Sequence, residues 1–310
     1  MTSTTAITHV DPGTFDLSSP SGVGAGVRRV VAAATREDRR SPLNEAALLV
    51  LRDRGLAAST LLVAGGSVAG FAWVHGPPDE REVDLVVDPA ARGVGVGTAL
   101  LSAVLDTFDG RLSAWSHGNH PAAAALAASH GLTRVRDLWV MRRPLDVPLP
   151  GLWHVDGVDV RTFEPGRDED AWLALNAEAF AHHPEQGRMA RADLDQRMAE
   201  PWFDPAGFFV AERDSTGSTG GRELVGFHWT KVHDEEPPFG EVYVVGVSPA
   251  AQGGGLGRLL TLSGLHHLAD RGLPEVILYV EADNGPAIAV YTRLGFAHAD
   301  ADTDVMYARR

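Results

Sequence analysis

Glycines 253, 254, 255 and 257 stand in Val245-Gly-Val-Ser-Pro-Ala-Ala-Gln-Gly-Gly-Gly-Leu-Gly-Arg258 with the spacing of an anion cradle. Lacking Cβ atoms there, successive backbone N–H groups near a helix N-terminus converge on a phosphate or diphosphate. Gln252 and Arg258 add side-chain donors at the rim. A second stretch, Leu85-Val-Val-Asp-Pro-Ala-Ala-Arg-Gly-Val-Gly-Val-Gly-Thr98, lies 160 residues earlier, with Pro89, Ala90, Ala91, Gly95 and Gly97 matching Pro249, Ala250, Ala251, Gly255 and Gly257. The chain is expected to build the same cradle twice. Two titratable residues flank the later copy: Glu241, four residues before Val245, and Tyr291, seven residues after Asn284.

Each cradle needs a strand before it and a helix after it. Apolar patterning predicts strands over 60–64, 68–74 and 82–87, a helix from the first cradle to 108, a strand over 112–115, a helix over 121–129 and a strand over 133–141. Helical spacing at 27–34 and 43–52 precedes them. The second half repeats this order, with helices at 169–180 and 190–198 and strands at 207–212, 224–232 and 241–247. After the second cradle come a helix to 271, a strand over 276–280, a helix over 284–294 and terminal strands around Phe296 and Val305. A duplication of this length predicts two copies of one domain, not a solenoid, whose repeats are far shorter. The expected boundaries are a flexible leader at 1–22, a first domain at 23–143, a proline-rich linker at 144–157 and a second domain at 158–310. The fold class is α+β, with a mixed, mainly antiparallel sheet flanked by helices in each domain.

The 310 residues carry a net charge of −14 and 44% hydrophobic residues. That balance argues against a nucleic-acid or anionic-membrane surface, which needs clustered Lys and Arg. There is no cysteine, which excludes disulfides, thiolate metal sites and an enzyme-thiol intermediate. No apolar run reaches the ~20 residues of a membrane span, and no secretory pattern opens the chain. A cytoplasmic monomer is expected. The His182-His183 pair, His228 and His233 lack metal-ligand spacing, so no metal is expected.

A strand, then Arg/Gln-x-x-Gly-x-Gly, then a helix resembles the acetyl-CoA-binding motif of the GNAT acyltransferases, matched at Arg92 to Gly97 and at Gln252 to Gly257. A Rossmann turn would require an acid ~20 residues on, on a second parallel strand, and a Walker loop a Gly-Lys-Ser/Thr ending. Neither is present. Further stretches in the second half, Ala179-Phe-Ala-His-His-Pro-Glu-Gln-Gly187, Gly226-Phe-His-Trp-Thr-Lys-Val-His233, Leu278-Tyr-Val-Glu-Ala-Asp-Asn284 and Tyr291-Thr-Arg-Leu-Gly-Phe296, are similar to the mycothiol synthase family of tandem GNAT enzymes. That resemblance implies acetyl transfer from acetyl-CoA to the cysteinyl amine of cysteinyl-glucosaminyl-inositol. It implies acetyl-CoA contacts at Val245, Gly246, Val247, Gln252, Gly253, Gly254, Gly255, Leu256, Gly257 and Arg258, and at Asn284, Gly285, Pro286, Ala287, Ile288 and Ala289. In the first half it implies contacts at Leu85, Val86, Val87, Gly93, Val94, Gly95, Val96, Gly97 and Thr98. The implied acceptor contacts are Glu45, Glu185, Lys231, Glu241 and Tyr279.

Amide formation from a thioester needs a free amine, a polarised carbonyl and a protonated leaving sulfur. An α-amine has a pKa of about 8, so a weak base suffices, and Glu241 is assigned that role, acting through water. Strand alternation would place Glu241, Tyr243 and Val245 on one side. An N–H near Val245 would support the oxyanion, and Tyr291 would protonate the departing thiolate. Attack is expected to be direct. In the 160-residue register Arg81 falls opposite Glu241 and Ala127 matches Tyr291, so the first half is expected to hold CoA or support the fold without catalysis. Two alternatives remain at this level: a GNAT enzyme for another amine (aminoglycoside, polyamine or peptide), or a non-catalytic acyl-CoA-binding protein.

Overall fold

Alternation of large apolar residues along Phe71-Ala-Trp-Val74 and Phe227-His-Trp-Thr230 makes each central strand two-faced, and helices cover both faces. The computed structural model describes residues 5–53, 55–57, 59–182, 186–214 and 221–309. The chain forms two compact units, Met1–Trp139 with Ala299–Arg310, and Val140–His298.

The first unit runs β1 (Ile7–His9), α1 (Gly22–Asp38), α2 (Glu45–Asp53), β2 (Thr60–Ala64), β3 (Gly70–His75), β4 (Arg81–Val87), α3 (Val96–Thr107), β5 (Leu112–Ser116), α4 (Pro121–Ser129) and into β6 (Thr133–Pro144). The second runs β7 (Val158–Thr162), α5 (Glu169–Ala179), α6 (Arg191–Met198), β8 (Phe208–Asp214), β9 (Arg222–His233), β10 (Phe239–Val247), α7 (Leu256–Asp270), β11 (Glu275–Glu281) and α8 (Gly285–Arg293), and β12 (Ala297–Arg309) ends the chain. Strand neighbours are β1-β2-β3-β4-β5-β12 in the first unit and β11-β10-β9-β8-β7 in the second. β1 with β2, β2 with β3, β3 with β4, β5 with β12, β7 with β8, β8 with β9 and β9 with β10 pair antiparallel, whereas β4 with β5 and β10 with β11 pair parallel.

In the first unit Phe71, Trp73 and Val86 pack with Val27, Val30 and Leu51 of α1 and α2. Ala72, Val74 and Val83 pack with Leu100 and Val104 of α3 on the other face. The second unit repeats the plan, with Phe227, Trp229 and Val244 against Trp172 of α5 and Leu194 of α6, and Val225 against Leu256 and Leu260 of α7. Trp73 and Trp229 are fully buried core residues, as their repeated positions suggest.

Three expected boundaries change. The terminal strand β12 pairs antiparallel with β5, Val305 opposite Ser116, so it belongs to the first unit and not the second. Its Val305 and Tyr307 fill an apolar cluster with Leu101, Ala127 and Leu132, which supplies the reason. Passage between units falls inside β6, after Trp139, and not in the proline-rich segment 144–157. The expected loose leader contains β1, an edge strand on β2 with Ile7 opposite Ala64.

Candidate active site

Strand β10 is the axis of the site. Its first residues pair with parallel β11, Gly240 with Val276, Glu241 with Ile277 and Val242 with Leu278, and there the pairing stops. On its other side β9 continues to accompany it as far as Val247. Beyond Val242 one edge of β10 therefore has no strand partner among the described residues, and an extended ligand could pair with its free backbone groups. The first unit repeats the opening: β4 pairs with β5 only at Arg81 and Glu82, although β4 extends to Val87.

Both openings end at a glycine turn. Gly253 and Gly255 have φ of 90° and 82°, and Gly93 and Gly95 have 76° and 92°, the left-handed region that side chains with a Cβ disfavour. Gly255 caps α7 and Gly95 caps α3. A Cβ at Gly253 or Gly254 would meet nothing within 4 Å, so the mouth of the second turn is open. This fits a diphosphate lying against backbone N–H groups at a helix N-terminus.

Two of the rim side chains, Gln252 and Arg92, already hydrogen-bond to backbone carbonyls. Gln252 Nε2 turns back to the Val247 carbonyl at 3.3 Å, and Arg92 Nε does the same to Val87 at 3.3 Å. Arg92 also forms a two-pronged ion pair with Asp38, both contacts 2.7 Å, and this hydrogen bonding holds its guanidinium above its usual pKa. Arg258 lies over the Trp153 ring, 4.9 Å from its centre. Trp153 thus packs beside the turn: its Nε1 and Cζ2 would lie 3.8 Å from a Cβ on Gly255.

Glu241 is 6% exposed, and its Oε2 lies 2.6 Å from Nε2 of His233. His233 stacks on Phe239 with ring centres 4.3 Å apart. Lys231 is the register partner of Glu241 across β9, and its Nζ lies over Trp202 at 4.6 Å and Tyr243 at 5.4 Å. Tyr243 in turn accepts a hydrogen bond from Arg197 of α6 at 2.9 Å. Tyr279, 44% exposed, stands two residues beyond Ile277, the partner of Glu241 on β11, and so shares its face. The sheet therefore brings Lys231, Glu241 and Tyr279 together. Glu45 opens α2 in the first unit, and Glu185 lies outside the described residues.

A β-bulge at Tyr243 changes two expectations. Val242 faces Thr230 and Val244 faces Trp229, so Tyr243 is an extra residue in the ladder. Val244, not Val245, then shares the face of Glu241: Val244 packs with Trp172 and Trp229, whereas Val245 packs with Leu256 and Leu260. The bulge also shifts the comparison between halves. Trp73 pairs with Asp84 as Trp229 pairs with Val244, and counting back through the ladder puts Glu82 at the place of Glu241, with His75 at that of Lys231. Arg81 is not the counterpart. His75 Nε2 lies 2.8 Å from Asp84, and a carboxylate oxygen of Glu82 completes a group within 4.8 Å. Burial opposes charge on His75, yet the Asp84 hydrogen bond and the two carboxylates outweigh it and raise its pKa.

Asn284 caps α8, its side chain accepting the Ala287 N–H at 3.2 Å, and none of the α8 residues is fully buried. Tyr291 is the seventh residue of α8 and Ala127 the seventh of α4. The Tyr291 ring meets Phe296 edge-on at 5.9 Å. Burial pushes its phenol up to about 12. It therefore stays protonated at neutral pH, as a hydrogen-bond donor must.

The acetyltransferase (GNAT) family model matches residues 29–132 and 171–296, one span for each half. The chain belongs to the GNAT acetyltransferase family. A mycothiol acetyltransferase of a Nocardioides species is 53% identical over 296 residues, covering 92% of this chain and 97% of its own. One from Thermobispora bispora is 52% identical over 300 residues, covering 95% and 98%. Among solved structures, a tandem GNAT protein from the clavulanic acid biosynthesis pathway superposes with a TM-score of 0.69 at 21% identity, covering 98% of each chain. A GCN5-related N-acetyltransferase from Sphaerobacter thermophilus gives 0.65 at 24%, covering 98% and 95%. As a GNAT acetyltransferase with two family spans, the chain is a tandem α+β enzyme whose co-substrate class is acetyl-CoA. Among the described residues no helix is long and apolar enough to cross a membrane.

The sequence weighs His233 only as a metal ligand, and its pairing with Glu241 escapes it. Its spacing from Glu241 marks nothing until β9 and β10 are known to be antiparallel neighbours.

Proposed function

We propose that this acetyltransferase moves the acetyl group of acetyl-CoA to the cysteinyl amine of cysteinyl-glucosaminyl-inositol, giving mycothiol and CoA. Near-full-length identity of 50 to 55% to proteins named mycothiol acetyltransferase carries the choice of acceptor. The geometry of the second unit carries the chemistry.

The Gly253 to Gly257 turn receives the diphosphate on backbone N–H groups, with Asn284 to Ala289 and the unpaired edge Val245 to Val247 as further contacts. Glu241 takes a proton from the acceptor ammonium, directly or through water. The freed amine attacks the thioester carbon, the C–N bond forms and the C–S bond breaks. An N–H on the free edge of β10 supports the oxyanion. Tyr291 donates a hydrogen bond to the departing sulfur. At about 12 its phenol is a weaker acid than a free tyrosine, so it stabilises the thiolate; the nitrogen sheds its second proton to solvent as the amide forms, and the sulfur takes one from solvent. With no cysteine in the chain, direct attack needs no covalent enzyme intermediate.

Lys231 and Tyr279 complete the proposed acceptor contacts of the second unit. The first unit keeps the turn, with Leu85 to Val87 and Gly93 to Thr98 as its CoA contacts, and keeps an acid at Glu82. Ala127 stands where the second unit has Tyr291, so no phenol occupies that helix position, and the first unit binds without turning over.

An acetylation assay comparing the cysteinyl pseudodisaccharide with an aminoglycoside, a polyamine and a peptide N-terminus tests the acceptor. A preference of at least ~100-fold in kcat/KM for the pseudodisaccharide is expected. Equal rates on all four would overturn the assignment.

A further inference from the structure

The base assigned above has a partner with no assigned role. A carboxylate that is 6% exposed has left most of its water behind and needs a donor in exchange. His233 supplies one at 2.6 Å, to Oε2 alone. An ionised carboxylate only accepts, so the shared proton sits on Nε2 in either the neutral or the charged imidazole.

Two further contacts fix that ring. It stacks nearly parallel on Phe239, at 10°, and Phe239 is also its register partner across β10. Its other nitrogen, Nδ1, points toward Glu235, 3.7 Å away, whose side chain is 62% exposed. The imidazole therefore spans from the buried base to the solvent edge. The first unit differs at this point, where His75 serves Asp84 at 2.8 Å, a residue whose place Val244 takes in the second unit.

We propose that His233 is a positioning residue for acetyl transfer, holding Oε2 of Glu241 through Nε2 so that Oε1 is presented to the proton of the acceptor ammonium. The proposal rests on Glu241 being the base. A carboxylate pinned at one oxygen loses a rotational freedom that would otherwise be lost at the transition state. The other titratable groups around the pair are Lys231 and Glu235 from the β9 side, Tyr243 on β10, Tyr279 on β11 and Arg197 of α6, the last held on the Tyr243 hydroxyl.

The test is the kinetic profile, kcat and KM for each substrate, of His233→Leu, which removes the donor, and His233→Gln, which keeps an N–H. For the leucine variant kcat is expected to fall ~10-fold with the KM for acetyl-CoA unchanged. The glutamine variant is expected to recover kcat to within about two-fold of wild type. A leucine profile that superimposes on wild type overturns the proposal. Should the leucine variant fail to bind acetyl-CoA in calorimetry, His233→Ala is assayed with added imidazole: a rise in turnover supports the role and no rise overturns it. Glu241→Gln is measured alongside. Loss of activity there with an unmoved His233→Leu profile sinks only the positioning role, whereas a fully active Glu241→Gln enzyme sinks the assignment of the base.

Discussion

In the proposed reaction Glu241 and Tyr291 divide the proton handling by their surroundings. Glu241 sits on a buried strand with a histidine donor, and Tyr291 is a phenol raised to about 12 by burial alone. Glu241→Gln is expected to lower kcat by ~10²-fold with the KM for acetyl-CoA within two-fold, because the lost interaction belongs to the transition state. Steady-state kinetics on both substrates check this. For Tyr291 the sign of the shift sets the pH behaviour. A phenol whose folded pKa lies above the ordinary ~10 keeps its proton until the pH approaches 12, so its ionisation contributes no basic limb to kcat below about pH 10. Tyr291→Phe should therefore lower kcat by a nearly constant factor from pH 7 to 10, and a factor that vanishes toward pH 10 would show that the phenol ionises much earlier. The sequence alone singles out both candidates by their distances to the cradle. His233 is not so singled out, since its contact depends on strand pairing.

At the scale of elements, the Tyr243 bulge and the packing of α7 decide which side chains meet. Period-two alternation holds only along an unbroken ladder, so one inserted residue moved Val245 to the α7 face and replaced Arg81 by Glu82 as the first unit's counterpart to Glu241. No residue pattern announces such an insertion. The glycine turns were legible because positive φ selects glycine chemically. On α7, Gly264 admits the fully buried ring of His228: a Cβ there would lie 2.1 Å from His228 Cε1 and 2.7 Å from Thr230 Cγ2. Gly264→Ala should cost about 1–3 kcal/mol, read as a fall of several degrees in thermal midpoint. His228 Nδ1 donates to the Leu260 carbonyl at 2.8 Å, and burial lowers its pKa to about 4. Unfolding frees an imidazole that takes up a proton below ~6.5, so the unfolded chain binds more protons between about pH 6.5 and 4. Stability is lost as pH falls through that window. Thermal midpoints of His228→Gln should vary less over the same range than those of wild type, and parallel curves would contradict the assignment.

The molecule as a whole carries one fold twice, yet its units are not two consecutive segments. A linear reading found both copies because the repeat keeps Pro, Ala and Gly at matching places 160 residues apart. It missed the return of β12 to the first unit, since Val305 and Tyr307 have the same alternating pattern whichever sheet edge they complete. It also missed β1, whose three residues are too short to show a period. In the proposed reading the duplication carries unequal chemistry: both turns hold a diphosphate, and only the second supports transfer. The most direct measurement compares acetyl-transfer kinetics of Gly254→Glu and Val94→Glu. These are equivalent positions in the two turns; Gly254 has open space around it and Val94 is 75% exposed, so a carboxylate fits at each and repels a diphosphate. The account predicts that Gly254→Glu lowers kcat/KM for acetyl-CoA by at least ~100-fold while Val94→Glu leaves turnover within two-fold. Loss of turnover with Val94→Glu and full activity with Gly254→Glu would contradict it.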